Sequence, residues 1–258
     1  MRTALITGAA SGLGQAVAER LARDGWSLVL WDRNDEGLRE TASRCGQAQL
    51  TQQVVDLAEE ASVETAFGAL QSFGKVPSLI FHAAGVLDVG DLDALTASAC
   101  RRDMEVNYLG TVHLLLAARK RLEKGARIIC TSSIAGLKGL PEFAGYCASK
   151  FAVYGFCESV HGDFKRRGIA LSVICPPAVN TPMVKNLGRR PVLYDIFPFA
   201  EKDVVIDAIV KAIDQRKRFL ILVDAQSAFL YRVNGVLPRF TSAVLEGLVQ
   251  RKKKKVSA

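Results

Sequence analysis

Seven short apolar runs alternate with longer segments of helical pattern, and this alternation is the sequence feature that most restricts the fold. The apolar runs lie at residues 2–6, 27–31, 50–55, 77–81, 126–130, 170–175 and 219–223. Helical patterns fall between them, most clearly at residues 15–23, 59–73, 98–124 and 144–167. Buried strands that alternate with helices are typical of parallel sheets. The sequence therefore predicts an α/β fold with one doubly wound, Rossmann-like parallel sheet flanked by helices.

The length of 258 residues suits one large α/β domain better than two small ones. Residues 1–224 contain every predicted strand and form the expected Rossmann-like domain. Residues 225–258 form a C-terminal extension in which Phe229, Val233, Phe240 and other apolar residues recur at helical spacing before the polybasic run 251–255. This pattern is typical of an amphipathic membrane-surface segment, and equally of a helix packed on the domain with a solvated charged tail.

A glycine-rich turn follows the first apolar run and leads into a helical pattern. It has the sequence Thr7-Gly8-Ala9-Ala10-Ser11-Gly12-Leu13-Gly14. Glycines between a strand and a helix let the backbone approach a phosphate at the helix N-terminus, where free N–H groups point outward. The dinucleotide-binding candidates in this turn are Gly8, Ser11, Gly12, Leu13 and Gly14. Such a cluster can also be an ordinary turn, but its position directly after a strand favours dinucleotide binding.

Asp32 ends the second apolar run, 18 residues after Gly14. Near this spacing, a carboxylate binds the adenosine ribose of NAD and disfavours the additional phosphate of NADP. Arg33 is adjacent, and its guanidinium could instead receive that phosphate. The pair favours NAD as the cofactor and leaves NADP possible. A different interpretation is that Asp32 only caps the next helix.

Small and polar residues also follow later predicted strands. Ala83-Ala84-Gly85 comes after the fourth strand, Ser132-Ser133 after the fifth, and Pro176 after the sixth. Because ligands bind outside the carboxyl ends of parallel strands, Ser132-Ser133 is expected near a ligand site, although a serine pair there could also only cap a helix. Asn107 lies among apolar residues of a helical pattern. A buried Asn there can serve the site or simply satisfy backbone groups.

Tyr146 and Lys150 are four residues apart in a helical pattern, so they share one helix face. A free phenol titrates near pH 10, and a neighbouring ammonium lowers that pKa by favouring the phenolate. A tyrosine tuned in this way could exchange a proton with an alcohol or an alkoxide. By itself, the pair could also be an accidental contact on a helix surface.

The motifs of this chain, and the order in which they occur, resemble those of the short-chain dehydrogenase/reductases of about 250 residues. The resemblance covers residues 1–224. Its motifs are Thr7-Gly8-x-x-x-Gly12-x-Gly14, Asp56-Leu57, Ala83-Ala84-Gly85, Asn107, Ser133, Tyr146-x-x-x-Lys150 and the segment 176–182. Each motif alone is weak, whereas the ordered set is specific. The family implies an NAD(P)-dependent oxidoreductase that interconverts a secondary alcohol and a ketone by hydride transfer.

The resemblance also implies a role for each catalytic residue. Tyr146 would be the general acid and base. Lys150 would lower its pKa and bind the nicotinamide ribose. Ser133 would donate a hydrogen bond to the substrate oxygen, and Asn107 would hold a water that links Lys150 to solvent.

For the cofactor, the resemblance implies that Asp56 and Leu57 flank adenine and that Val179 and Thr181 contact the nicotinamide amide. Ala83, Ala84, Gly85 and Pro176 would complete the cofactor site. Two residues depart from the usual pattern. His82 stands where the family usually has Asn, so it is open whether the sheet-stabilising contact of that Asn is kept. Pro177 stands where Gly is usual, and it stiffens the approach to the nicotinamide pocket.

Apolar residues between positions 182 and 200 fall where the family carries a substrate-covering loop. They favour a lipophilic alcohol or ketone as substrate, although they could equally pack on the core. Relatives commonly form homodimers through the long helices, here predicted at 98–124 and 144–167, and tetramers through a surface here at 203–223. The extension is expected to lie near that second surface and to leave a homodimer, with a tetramer possible.

Charge and cysteine usage restrict the function further. The net charge is +8, and residues 251–255 supply five of these charges, which leaves 8 − 5 = +3 for the remainder. This distribution does not favour nucleic-acid binding. The six cysteines and three histidines lack metal-site spacing, so no metal is expected. Scattered thiols without a signal peptide or a long apolar span favour a cytoplasmic protein, possibly peripheral at a membrane.

Two other classes of function remain open from the sequence. A catalytically silent, nucleotide-sensing relative is one, and the intact Asn107, Ser133, Tyr146 and Lys150 argue against it. The other is a membrane-associated protein whose interactions matter more than its turnover.

Overall fold

A seven-stranded parallel sheet forms the centre of the computed structural model, which describes residues 2–72 and 76–256 and side chains as far as Lys254. The strand order is β3-β2-β1-β4-β5-β6-β7. The strands are β1 (Thr3–Thr7), β2 (Ser27–Asp32), β3 (Leu50–Val54), β4 (Leu79–His82), β5 (Arg127–Thr131), β6 (Ala170–Cys175) and β7 (Leu220–Leu222). The order reverses between β1 and β4. The predicted doubly wound, Rossmann-like fold is therefore confirmed.

Helices cover both faces of this sheet. They are α1 (Gly12–Arg23), α2 (Asp35–Arg44), α3 (Glu60–Ser72), α4 (Ala97–Asp103), α5 (Gly110–Ala118), α6 (Ala144–Arg166), α7 (Pro182–Lys185), α8 (Leu193–Ile196), α9 (Lys202–Asp214), α10 (Ala225–Val236) and α11 (Pro238–Val256). Helices α1, α2 and α9 pack on one face, and α3, α5 and α6 pack on the other. The strands are apolar in both directions because both faces are buried.

The predicted helix at 98–124 differs from the structure in its interior and at its end. A π-helical segment, Met104–Leu109, separates α4 from α5, and α5 ends at Ala118. The chain then turns through Gly125, whose φ of +96° favours glycine. Sequence periodicity did not reveal the π segment, which carries Asn107 and adds one residue to the local turn. Such segments occur frequently at functional sites.

The C-terminal extension folds back over the carboxyl ends of the strands. Asp224 caps α10 by accepting a hydrogen bond from Ser227 N at 2.6 Å, and Pro238 begins α11. Helix α11 contacts α8, and its Val249 is buried against Leu193. We expected the extension beside residues 203–223. Helix α10 contacts β7, whereas α11 contacts α8 on the substrate side of the site, where its Val249 is buried.

Among residues 2–72 and 76–256, no helix combines the length and the apolar character needed to cross a bilayer.

Candidate active site

A cavity of about 960 Å³ opens at the carboxyl ends of the strands. It spans the point between β1 and β4 where the strand order reverses, which is the usual ligand position in open parallel sheets. One half is lined by the glycine-rich turn and by residues that follow β2 and β3. The other half is lined by the residues after β5 and β6, the loop 182–200 and the C-terminal helices. The cavity therefore has room for both a dinucleotide and a substrate.

Gly8 and Gly14 bring the turn after β1 into close contact with itself and with the end of β4. Gly8 has φ of +67°, and a Cβ there would lie 2.6 Å from Ala84 N. A Cβ on Gly14 would lie 2.1 Å from Gly8 O. Neither position has room for a side chain, so the backbone itself forms the wall of the cavity.

The start of α1 offers unpaired N–H groups to the cavity. Ser11 occupies the N-cap position but makes no side-chain capping hydrogen bond within the described chain, and no acidic residue lies in the first turn. The first amides of a helix lack partners inside the helix and attract anions. Together with the glycine walls, this terminus fits a pyrophosphate group.

Asp32 is fixed at the end of β2 by two backbone amides. Its carboxylate accepts hydrogen bonds from Ala10 N at 3.1 Å and from Asn34 N at 3.0 Å. The cap of α2 is Asn34, which accepts a hydrogen bond from Gly37 N. The interpretation of Asp32 as a helix cap is therefore wrong. Asp32 and the exposed Arg33 both line the cavity, where they could distinguish NAD from NADP.

Most of the predicted cofactor residues line this cavity. They are Gly8, Ser11, Gly12, Leu13, Gly14, Asp32, Arg33, Leu57, Ala83, Ala84, Gly85, Tyr146, Lys150, Pro176, Val179 and Thr181. Asp56 is not among the described lining residues, because its carboxylate folds back to accept a hydrogen bond from Ala58 N at 2.9 Å. Its neighbour Val55 lines the cavity instead, as does Trp31, and the sequence analysis identified neither.

Tyr146 and Lys150 lie on α6 and both face the cavity. The Lys150 ammonium nitrogen is 5.7 Å from the centre of the Tyr146 ring and donates a hydrogen bond to Thr131 O at 3.1 Å. Ser133 follows β5 and lies close enough to Tyr146 to lower the pKa of the phenol. The Ser132 hydroxyl donates to Lys150 O at 2.9 Å and ties this strand end to α6. The three predicted groups therefore meet at one wall of the cavity.

The electrostatics of this group differ from the expectation. Burial raises the pKa of Tyr146 above its ordinary value, and the nearby Ser133 hydroxyl only partly opposes this effect. Burial lowers the pKa of Lys150 to about 8. We expected Lys150 to lower the pKa of Tyr146, but desolvation dominates in the protein alone. As a result the phenol stays protonated and is suited to donate a proton to a carbonyl oxygen.

Asn107 is buried behind this wall and has no described contact with the cavity. Its side-chain oxygen accepts from Val86 N at 2.8 Å, while its amide nitrogen donates to Val86 O at 3.0 Å and to Ser149 Oγ at 2.9 Å. The Ser149 hydroxyl in turn donates to Tyr146 O at 2.8 Å. These bonds show that Asn107 positions the loop after β4 and the first turn of α6. The water-binding role stays a prediction.

His82 replaces the expected Asn with an equivalent network. Its ring nitrogens lie 2.7 Å from Thr7 Oγ1 and 2.9 Å from Thr111 Oγ1. Thr111 already donates to Asn107 O at 2.6 Å, so His82 Nε2 donates to Thr111 and Nδ1 accepts from Thr7. Burial lowers the pKa of His82 to about 3, which keeps the ring neutral. His82 therefore joins β1, β4 and α5, and the questioned sheet contact is present.

The sequence analysis missed Asp103, a buried carboxyl group close to the first turn of α6. A Cβ added to Gly145 would lie 3.1 Å from Asp103 Oδ2, and neither carboxyl oxygen has a hydrogen-bond partner of ordinary geometry among the described residues. Burial, followed by the nearby Asp88 carboxylate, raises its pKa to about 7. A single Asp in a helical segment gives no sequence signal that it will be buried.

The substrate half of the cavity is apolar and is built from segments far apart in sequence. A hydrophobic cluster, here called the cover cluster, joins Phe143 and Cys147 near the start of α6 to Leu193 of α8 and Val249 of α11. Four residues of the C-terminal helices also line the cavity while remaining solvent-exposed: Phe229, Phe240, Val244 and Leu248, here called the apolar rim. The helical spacing of these four residues was visible in the sequence, but the sequence did not show that their apolar face would border the cavity.

The short chain dehydrogenase family model matches residues 2–191 of this chain. The chain belongs to the short-chain dehydrogenase family. The Tyr146-x-x-x-Lys150 pair, Ser133 and the glycine turn all lie within the matched residues. The fold and the family together establish an NAD(P)-dependent oxidoreductase that acts on CH–OH groups, as the sequence predicted.

Individual relatives agree with this assignment. Human epidermal retinol dehydrogenase 2 is 33% identical over 97% of this chain and 86% of the relative. Human 17-beta-hydroxysteroid dehydrogenase 13 is 30% identical over 93% of this chain and 81% of the relative. A crystal structure of a short-chain dehydrogenase/reductase from Burkholderia phymatum in complex with NAD has a TM-score of 0.81 and 28% identity, covering 93% of this chain and 94% of that chain.

Lys150→Met is expected to raise the free energy of unfolding at about pH 7 by roughly 1–3 kcal/mol while abolishing turnover. The pKa of Lys150 in the folded protein is about 8, against an ordinary value of 10.5. Between these values the unfolded chain binds more protons, so the stability of the wild type rises with pH. Urea unfolding should show a smaller difference between the two proteins at about pH 10 than at about pH 7. If the free energies of unfolding of the two proteins differ equally at both pH values, the effect comes from packing and not from the charge of Lys150.

Proposed function

We propose that this enzyme interconverts a lipophilic secondary alcohol and its ketone. The observation that carries the proposal is the apolar substrate half of the cavity, which is closed by the cover cluster and bordered by the apolar rim. Two relatives are named for the oxidation of retinol and of a hydroxysteroid, both largely apolar alcohols. In this proposal residues 1–224 form the catalytic domain, and the extension from residue 225 covers its substrate side.

The residues at the wall of the cavity suit this reaction. Bound NAD(H) supplies or accepts the hydride. In the direction of reduction, the Tyr146 hydroxyl donates its proton to the substrate oxygen, and Ser133 donates a hydrogen bond to the same atom. The Lys150 ammonium stabilises the phenolate that remains. Asn107 acts indirectly, by holding Ser149 and hence the backbone of Tyr146.

A chain-length series of methyl ketones tests the proposed substrate class. We expect kcat/KM with NADH to rise from butanone to methyl decyl ketone, because each buried methylene contributes about 0.8 kcal/mol. Oxidation of the matching alcohols with NAD should show the same order. A preference for butanone, or for charged hydroxy acids, would contradict a lipophilic substrate.

In Asp32→Asn, the Kd for NADPH divided by the Kd for NADH is expected to fall about tenfold or more relative to the wild type. The substitution removes the charge that opposes the added phosphate, and Arg33 then pairs with it. Asp35→Asn is the matched control, because Asp35 is also acidic and lies three residues further on, in the first turn of α2. Fluorescence titration measures both ratios. A wild type that prefers NADPH would show that Arg33 already dominates.

We infer that the protein is a cytoplasmic homodimer. The outer faces of the helical segments at Ala97–Ala118 and Ala144–Arg166 expose Leu109 and Phe151, which supports pairing through these helices. Each of the six cysteines is a free thiol, which supports a reducing compartment. Light scattering decides the oligomeric state, and a monomer or a tetramer would contradict this inference.

We also infer contact with an anionic membrane surface through the extension. Phe229 and Phe240 are 69% and 60% exposed, and the basic residues Arg232 and Arg251 lie on the same two helices, α10 and α11. Each basic residue near an anionic bilayer contributes about 1 kcal/mol. Vesicles containing phosphatidylserine should therefore co-sediment the protein at low salt, and Phe240→Ser should weaken this. No sedimentation at low salt would contradict the inference.

A further inference from the structure

Glu142 has an unusual backbone conformation just before the catalytic helix. Its φ is +71°, and it is the non-glycine residue with positive φ within the described chain. A Glu in this left-handed region is strained, and such strain persists only where surrounding contacts enforce it. Its side chain is only 3% exposed. Burial of a carboxylate is costly unless cations and hydrogen bonds compensate for it. Two unfavourable features therefore coincide at this residue.

The first group of compensating contacts comes from the loop 182–200 on the substrate side. Glu142 Oε1 lies 3.1 Å from Arg189 Nη2, and Glu142 Oε2 accepts a hydrogen bond from Val192 N at 2.8 Å. Arg189 is itself held by Asp91, whose Oδ2 is 2.9 Å from Nη1. The carboxylate therefore fixes the loop directly before α8.

The second contact comes from the C-terminal helix. Lys253 of α11 lies 3.4 Å from Glu142 Oε1. At least one cation of the polybasic run is thus directed at the site, while Val249 on the same helix is buried in the cover cluster. The loop and α11, which come from different parts of the chain, converge on one carboxylate.

This carboxylate is also connected to the catalytic helix. Gly90 N donates to Glu142 O at 2.9 Å, so the backbone is held beside the loop after β4. The next residue, Phe143, precedes α6, and its ring lies 5.5 Å from the ring of Tyr194 in α8. Tyr146 follows one turn later. The backbone of Glu142 is therefore fixed beside the start of α6, and its side chain joins the loop 182–200 and α11 to that fixed point.

We propose that Glu142 is a positioning residue that latches the loop 182–200 and α11 to the start of the catalytic helix, and thereby sets the preference for long apolar substrates. The proposal rests on the proposed function for its substrate class. A small ketone is bound mainly by Ser133 and Tyr146, so it does not need the cover. A long chain extends between the loop and α11 and needs both in place.

Glu142→Gln tests this role because it keeps the size of the side chain and one acceptor for Val192 N but removes the charge. We expect KM for methyl decyl ketone to rise about tenfold while kcat changes little, and both constants for butanone to stay within about twofold. Glu246→Gln on the exposed side of α11 is the matched control and should resemble the wild type. Arg189→Gln and Lys253→Gln should each raise KM for methyl decyl ketone by less than Glu142→Gln does. When either is combined with Glu142→Gln, the rise in KM should be smaller than the two single effects together.

Amide hydrogen exchange without any substrate provides a readout that does not depend on turnover. In Glu142→Gln, exchange should accelerate in residues 182–200 and in α11 but not in β1 or α1. If exchange is unchanged and the long-chain KM is unaffected, the latch does not exist. If exchange accelerates everywhere and both ketones suffer equally, Glu142 has only a structural role. If the wild type reduces neither ketone, the proposed function fails, and the exchange pattern still decides whether the latch exists.

Discussion

Tyr146→Phe should lower kcat by about two to four orders of magnitude while leaving the affinity for NADH nearly unchanged. The substitution deletes one oxygen and keeps the ring that lines the cavity. Burial raises the pKa of Tyr146, so the wild-type phenol carries the proton that the substrate oxygen needs. Phenylalanine has no proton to give. The loss corresponds to about 3–5 kcal/mol of transition-state stabilisation.

Tyr154→Phe is the matched control for this experiment. It deletes the same atom from the same helix, two turns further along, where the hydroxyl bonds Glu158 at 3.0 Å on the protein surface. Its kcat should stay within about twofold of the wild type. Stopped-flow reduction and NADH fluorescence titration separate chemistry from cofactor binding. A Tyr146→Phe enzyme with wild-type turnover would remove Tyr146 from the mechanism.

Local patterns were sufficient to predict the fold and the grouping of Tyr146, Lys150 and Ser133 at one cavity. The strand, the glycine turn and the helix around Gly8 and Gly14 are adjacent in sequence, so periodicity and glycine spacing identify them. Tyr146 and Lys150 are one helical turn apart, and their common face follows from that spacing alone. The carboxyl ends of parallel strands meet at one edge, which brought Ser133 and Ala84 to the same cavity.

Properties that depend on distant segments could not be predicted in this way. The pKa of Tyr146 is set by burial, and part of that burial comes from the cover that α8 and α11 provide. The apolar face of α11 was visible, but its contact with Leu193 arises only in the folded chain. Likewise, a Glu before a helix gives no indication of a left-handed backbone at Glu142. These features depend on packing across the site and not on local pattern.

Gly14→Ala should destabilise the protein by about 3 kcal/mol and abolish dinucleotide binding. The added methyl group would lie 2.1 Å from Gly8 O and 2.6 Å from Gly8 C, which are backbone atoms of the same turn. A flexible side chain could move aside, but here the turn itself must open. Because Gly8 O is pushed away, the start of α1 separates from β1 and its N–H groups no longer converge on a phosphate.

Gly68→Ala separates this steric effect from the ordinary effect of alanine in a helix. Gly68 also lies within a helix, α3, and a Cβ there meets nothing within 4 Å. Since alanine is the better helix former, this control should gain roughly 0.5–1 kcal/mol. Thermal unfolding should therefore shift in opposite directions in the two variants, and NADH titration should show lost binding in Gly14→Ala alone, if the close approach of Gly8 and Gly14 creates the cofactor site. If Gly14→Ala binds NADH as tightly as Gly68→Ala, the turn tolerates a methyl group, and the dinucleotide must be held elsewhere in the cavity.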